Sequence, residues 1–182
     1  DDGTNGSELW KSDGSAAGTV MVKDINPGGN SYPEYLINVR GILYFKADDG
    51  TNGSELWKSD GTEAGTVMVK GFSYGIGYNS SPFNHINGTL YFIANDGING
   101  SSLWKSDGSE AGTFMVENLS DPNIVDVDGL LYSKGSDGIH GSELWKSGGP
   151  EVGTAMVKDI NPLGDSSPSS LTNVSGILYF NA

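Results

Sequence analysis

The sequence predicts an all-β fold, a four-bladed β-propeller with four antiparallel strands in each blade, and three observations predict it. One motif recurs four times at nearly even spacing, the chain ends complete one further copy between them, and no window carries a helical apolar period. Residues 1–14 return unchanged as 48–61, and looser copies run 95–108 and 136–149. Trp10, Trp57, Trp104 and Trp145 mark the copies at spacings of 47, 47 and 41, and 47 residues lead from Trp145 off the end and back to Trp10. The C-terminal stretch 176–182 repeats 41–47 with one change, and the residue after Ala47 is Asp48, the counterpart of Asp1. Residues 1–182 therefore read as one domain of four repeats, cut inside a repeat. A ring closed by pairing the N- and C-terminal strands in one blade would remove the last exposed sheet edge.

Each strand follows from local pattern. In the second repeat the strands are expected at 35–39, 42–47, 55–59 and 66–70. The first two are joined by Arg40-Gly41, replaced elsewhere by Asn87-Gly88, Asp128-Gly129 and Ser175-Gly176. Asn-Gly and Asp-Gly pairs suit a type I′ hairpin, whose two central residues need positive φ. Turn residues 48–53 join strands two and three, and 60–65 join three and four. Strand three alternates Leu56 and Lys58 with Glu55, Trp57 and Ser59, and strand two sets Leu43 and Phe45 opposite Tyr44. Apolar groups on both faces require a sheet covered on both sides, as stacked blades are. The four Trp are expected to wedge between neighbouring blades. Asp13, Asp60 and Asp107 are expected to accept N–H bonds within their own turns. Lys11, Lys58, Lys105 and Lys146 are expected to be solvated or paired with a carboxylate.

Composition narrows the function classes. A formal charge of −13 argues against nucleic acid or an anionic membrane surface as partner. No apolar run approaches the length of a membrane-spanning helix, so membrane insertion is not expected. Cysteine is absent, which excludes disulfides, a thiol nucleophile and cysteine-ligated zinc. The chain opens on Asp1-Asp2-Gly3 without an initiator Met or signal peptide, as a processed form or a fragment would.

The run Glu55-Leu56-Trp57-Lys58-Ser59-Asp60-Gly61-Thr62, followed by Ala64-Gly65-Thr66, closely resembles the ELWxxDGT repeat family. The resemblance covers essentially the whole chain and extends to Lys-Asp-Ile-Asn-Pro at 23–27 and 158–162. It implies a β-propeller and an extracellular setting, secreted or at the cell surface, without an agreed ligand or catalytic residue. The strand order with its cut inside a blade is also similar to the four-bladed hemopexin type. The Ser-Asp-Gly-Thr turn is similar in part to sialidase Asp boxes, which are structural. Three departures stand out: Ser147-Gly148-Gly149 lacks the turn carboxylate, Ser102 replaces the Glu of the third repeat, and the connection after Glu117 is six residues shorter than the others.

Antiparallel order places the loops between strands two and three on one face with the blade-crossing connections. That face is expected to collect Asp2, Asn5, Asp49, Asn52, Asp96, Asn99, Asp137 and His140 from the short loops, and Tyr32, Tyr74 and Tyr78 from the long ones. Tyrosine rings beside amides and carboxylates suit a sugar, the ring taking its apolar face and the polar groups its hydroxyls. Glycans or glycoconjugates are therefore the expected partners, and a homo-oligomer is left open. The Asp-Asp-Gly-Thr-Asn-Gly loops suit calcium through oxygen ligands but do not match the twelve-residue calcium loop, so no metal ligand is assigned and no cofactor is expected. No catalytic residue is assigned: His85 and His140 fall at unlike places in their repeats, and no Ser-His-acid set assembles. The expected function is that of a non-catalytic lectin with three of four similar sites competent, for N-acetylated hexoses such as N-acetylglucosamine, gaining affinity by avidity. The alternative is a structural or adhesive extracellular module without a small ligand.

Overall fold

Every repeat turns on the same pair of left-handed residues. Arg40 and Gly41 have φ of 53° and 87°, Asn87 and Gly88 52° and 82°, Asp128 and Gly129 53° and 83°, and Ser175 and Gly176 51° and 83°. This is the type I′ geometry that the sequence predicts. The second glycine is held from the preceding strand, where Asn38, Asp126 and Asn173 accept from the N–H of Gly41, Gly129 and Gly176 at 2.9, 2.8 and 3.0 Å.

The computed structural model describes residues 1–76, 83–117, 124–147 and 153–182. Its described elements are all strands: β1 (Leu9–Lys11), β2 (Val20–Lys23), β3 (Glu34–Val39), β4 (Ile42–Asp48), β5 (Ser54–Ser59), β6 (Val67–Lys70), β7 (Asn84–Ile86), β8 (Thr89–Asn95), β9 (Ser101–Ser106), β10 (Phe114–Glu117), β11 (Val125–Val127), β12 (Leu130–Ser136), β13 (Ser142–Ser147), β14 (Thr154–Lys158), β15 (Ser169–Val174) and β16 (Ile177–Asn181). Three antiparallel sheets of four strands, β3–β6, β7–β10 and β11–β14, run in chain order. The all-β class and the four antiparallel strands per repeat therefore stand for these three repeats.

The ends differ from expectation. β1–β2 and β15–β16 form two separate two-stranded sheets, and β16 does not pair with β1. Each end hairpin satisfies its own turn, and β15 packs beside β11 and β12. Residues a shared sheet would cover are consequently exposed: Trp10 at 39 %, with Ile177, Tyr179 and Phe180.

Both faces of the full sheets are buried, as the alternation requires. Tyr44 joins one core cluster with Leu56, Val69, Phe72, Phe92 and Trp104, while its neighbour Phe45 joins another with Leu9, Val22 and Trp57. A third holds Tyr91, Ile93, Leu103, Leu131 and Trp145. Trp57, Trp104 and Trp145 thus each tie their own sheet to the one before it, whereas Trp10 joins none of these clusters. Phe72 stacks edge-on against Trp104 at 5.0 Å and Phe92 at 5.7 Å, a favoured aromatic geometry.

Lys11 and Lys146 are exposed, as expected, but two of the four lysines also bridge repeats. Lys11 and Lys58 donate to the carbonyls of Gly61 and Gly108, one repeat onward, at 2.8 and 2.7 Å. Lys23 likewise reaches the Thr66 carbonyl at 2.9 Å and lies 6.0 Å from the Trp57 ring centre. These side chains fasten consecutive repeats through turn carbonyls. The turn aspartates behave as expected. Asp13, Asp60 and Asp107 each accept from the N–H and hydroxyl of Ser15, Thr62 or Ser109 at 2.7 to 2.9 Å. A Cβ at Gly65 would overlap the Asp60 carboxylate, which explains the glycine of the Ala-Gly-Thr segment.

Trp57→Ala should lower stability by about 3–5 kcal/mol, since it removes a buried ring from between two sheets. Urea unfolding measures this, and a loss below about 1 kcal/mol would mean that the ring is not a packing element.

Candidate functional site

The loops between strands two and three share one internal arrangement. Asp2 accepts from the N–H of Thr4 and Asn5 at 2.9 and 2.8 Å, and its second oxygen accepts from the Asn5 amide at 2.7 Å. Asp49 with Asn52, Asp96 with Asn99, and Asp137 with His140 repeat it, closing at 3.3, 2.8 and 2.7 Å. These four pairs were expected as ligand contacts. The structure turns each pair inward on its own loop, because the acid is the nearest acceptor for the loop's N–H groups. Hydrogen bonds from Asn5 and Thr4 hold the Asp2 carboxyl down at about 2, and equivalent bonds lower Asp96 and Asp137.

Tyr32 and Tyr74 are exposed as expected. Tyr32 sits at φ 45° beside the first loop, its N–H on the Ser7 carbonyl at 3.2 Å. Tyr78 lies outside the described residues. Tyr74 belongs to a built site. The connection after β6 folds against the end of β8: the Tyr74 N–H donates to the Asn95 carbonyl at 3.2 Å, and the Asn95 N–H to the Gly75 carbonyl at 3.1 Å. This forms a cleft of about 610 Å³ between the second and third repeats. Its walls bring expected Asn52 and Tyr74 together with Asp48, Ser54, Asn95 and Ser101, which sequence reasoning did not single out. Gly97 lets the third loop approach, since a Cβ there would lie 3.3 Å from the Tyr74 ring. Asp2, Asn5, Tyr32, Asp137 and His140 belong to other loops and do not line this cleft.

The glutamate of the Glu-Leu-Trp motif was also missed. Glu8 is buried and accepts from the N–H of Ile25 and Ser31 at 2.8 and 3.1 Å and from the Ser31 hydroxyl at 2.6 Å. Glu143 does the same with Ile160 and Ser166 at 3.0, 3.0 and 2.6 Å. Each thus anchors a connection of the Lys-Asp-Ile-Asn-Pro type. Burial raises the Glu143 pKa, but the bonds from Ser166 and Ile160 outweigh it and the net shift is downward. Glu55 differs. It is 0 % exposed, its Oε2 accepts from the Trp57 indole N–H at 3.5 Å, and its Oε1 has no hydrogen-bond partner. Burial, with Asp49 and Asp48 nearby, pushes its carboxyl up to about 7. Carboxylate oxygens of Asp48, Asp49 and Glu55 lie within 4.8 Å of one another. The signal was legible: the second repeat keeps its Glu but loses the Lys-Asp-Ile-Asn-Pro connection, Gly71 standing where Asp24 and Asp159 occur.

No family model matches the chain, and no curated protein matches it.

The exposed His140 ring contacts Asp137 at 2.7 Å, and that bond, then its charge, raises the His140 pKa above 6.5. The charged form is favoured in the folded state, so this contribution is complete below the unfolded pKa and disappears as pH climbs through the folded value. The imidazole titration followed by NMR should have its midpoint above 6.5 and shift down in Asp137→Asn, which keeps the turn acceptor. An unchanged midpoint would remove the pair from the account.

Proposed function

We propose that the chain is a non-catalytic carbohydrate-binding protein of the extracellular space, and that it binds sugar in the Tyr74 cleft. The observation that carries this reading is the joining of an exposed aromatic ring, 67 % accessible, to Asn52, Asn95, Ser54 and Ser101 in one cleft. A sugar ring presents an apolar face that stacks on tyrosine and hydroxyls that pair with amides, carboxylates and serines. An acetamido substituent adds an amide for the same partners, which favours N-acetylated hexoses such as N-acetylglucosamine. Asp2, Asn5, Asp137 and His140 are engaged within their own loops and lie outside this cleft, so the reading narrows from several similar sites to a principal one.

A glycan array with monosaccharide competition tests it. Tyr74→Ala should weaken sugar binding at least tenfold, a loss of about 1.4 kcal/mol or more, with an unchanged circular dichroism spectrum. Retained binding moves the site elsewhere. If no sugar competes at millimolar concentration, the structural or adhesive module becomes the better reading.

We also propose that the repeats close as a four-bladed propeller of the ELWxxDGT kind. Support comes from repetition: β4 and β5 pair Tyr44 with Lys58 and Phe45 with Trp57, and the same residues recur in β16 and β1. The equivalent register sets Tyr179 opposite Lys11 and Phe180 opposite Trp10, and would cover the exposed Trp10. Lys11→Cys with Tyr179→Cys should then oxidise to a disulfide within one chain, because directly opposed residues lie about 4.5–5.5 Å apart. Cross-linked dimers or a persistently reduced pair would refute closure.

A further inference from the structure

The second repeat stands apart from its copies in the fate of one buried carboxylate. In the first and fourth repeats the motif glutamate is consumed by its own connection, through Ser31 and Ile25 or Ser166 and Ile160. In the third repeat Ser102 takes its place. Glu55 alone of the three glutamates has an oxygen, Oε1, that is fully enclosed and without a hydrogen-bond partner. A buried carboxylate in that condition carries a large solvation penalty unless a proton or a cation relieves it.

The neighbours select between these. Gly71 stands where Asp24 and Asp159 open the other connections, and it brings no side-chain donor to Glu55. Asp48 and Asp49 bring two further carboxylates; one oxygen on each accepts from the N–H groups of Gly50, Thr51 and Asn52, and the second Asp49 oxygen accepts from the Asn52 amide at 3.3 Å. Those bonds fix the loop while leaving Asp48 a second oxygen with no bond of its own among those described. The fourth repeat has Ser136 at the position of Asp48, and the third has Asn95. The first repeat has the same three acids, Asp1, Asp2 and Glu8, but there the glutamate is engaged by Ile25 and Ser31; among the described residues only Asp48, Asp49 and Glu55 bring three carboxylates together.

We propose that Asp48, Asp49 and Glu55 bind one divalent hard cation, of calcium rather than magnesium size. The three oxygens lie within 4.8 Å of one another. Magnesium demands a near-ideal octahedral shell and gives up its own waters reluctantly. Calcium accepts irregular oxygen shells with water completing them, which suits a site at the mouth of a loop. The ion would join the end of β4 to the start of β5. Asp48 and Ser54 are also walls of the Tyr74 cleft, so the cation would brace that cleft. The site stands on the carboxylates alone and does not depend on the sugar reading.

The test uses the whole 182-residue chain stripped with a chelator, with calcium chloride alone as the titrant. Calorimetry should find one ion per chain, and calcium should raise the midpoint of thermal unfolding. Glu55→Gln keeps the shape of the side chain and removes its charge. It should weaken calcium binding at least tenfold and abolish the thermal shift. Asp49→Asn keeps the turn acceptor and should weaken binding likewise, which holds the test open if Glu55→Gln fails to fold. Glu63→Gln, at the opposite end of β5, should change neither readout. Absence of heat and of a thermal shift at millimolar calcium overturns the site. So does binding that survives in both Glu55→Gln and Asp49→Asn, or a magnesium response equal to that of calcium.

Discussion

Each sheet of this protein is apolar on both faces and depends on a neighbour to cover it. Adjacent residues on β4 show the constraint directly, since Tyr44 enters the cluster shared with the next sheet and Phe45 the cluster shared with the one before. A single sheet of this kind has no stable isolated form, because burying one face leaves the other in water. The indoles of Trp57, Trp104 and Trp145 fill the gaps between successive sheets, and Lys11, Lys23 and Lys58 reach across to carbonyls of the next repeat. The stacking unit is thus a sheet plus its link onward, and Trp10 is left half covered where the link has no partner.

The connections on the rim decide what varies. Where the chain after strand four follows the Lys-Asp-Ile-Asn-Pro pattern, a buried glutamate gathers two N–H groups and a hydroxyl and holds the connection shut. The second repeat keeps the glutamate and changes the connection, and this single mismatch has two results. Tyr74 is carried out to form a cleft with the third repeat, and Glu55 is left with an unmatched oxygen beside Asp48 and Asp49. Local departures from a repeat's own rule are where function concentrates, because the scaffold supplies the rigidity that the altered segment lacks.

Much of the fold could be read from the residues. The type I′ turns follow from Arg40-Gly41 and its counterparts because few residue pairs adopt two positive φ values in succession. The turn aspartates followed from short-range hydrogen bonding, and the both-faces-buried strands from alternation. The site was less legible. Asp2, Asp96 and Asp137 looked available on composition, yet each is satisfied two or three residues away within its own loop, and Asp49 accepts the same local bonds beside Asp48 and Glu55. Lys11 is exposed and Lys58 half-buried, and both also donate to carbonyls fifty residues onward that no local pattern announces. Glu55 attracted no notice because it obeys the repeat; what differs is the partner it lacks.

The sequence alone determined the strand count, the turns and the repeat period, since these arise from contacts between residues close along the chain. Only the tertiary structure decided which polar groups face outward. Whether an acid is free depends on donors that arrive from another repeat or fail to arrive, and that is settled by packing over distances no local pattern encodes.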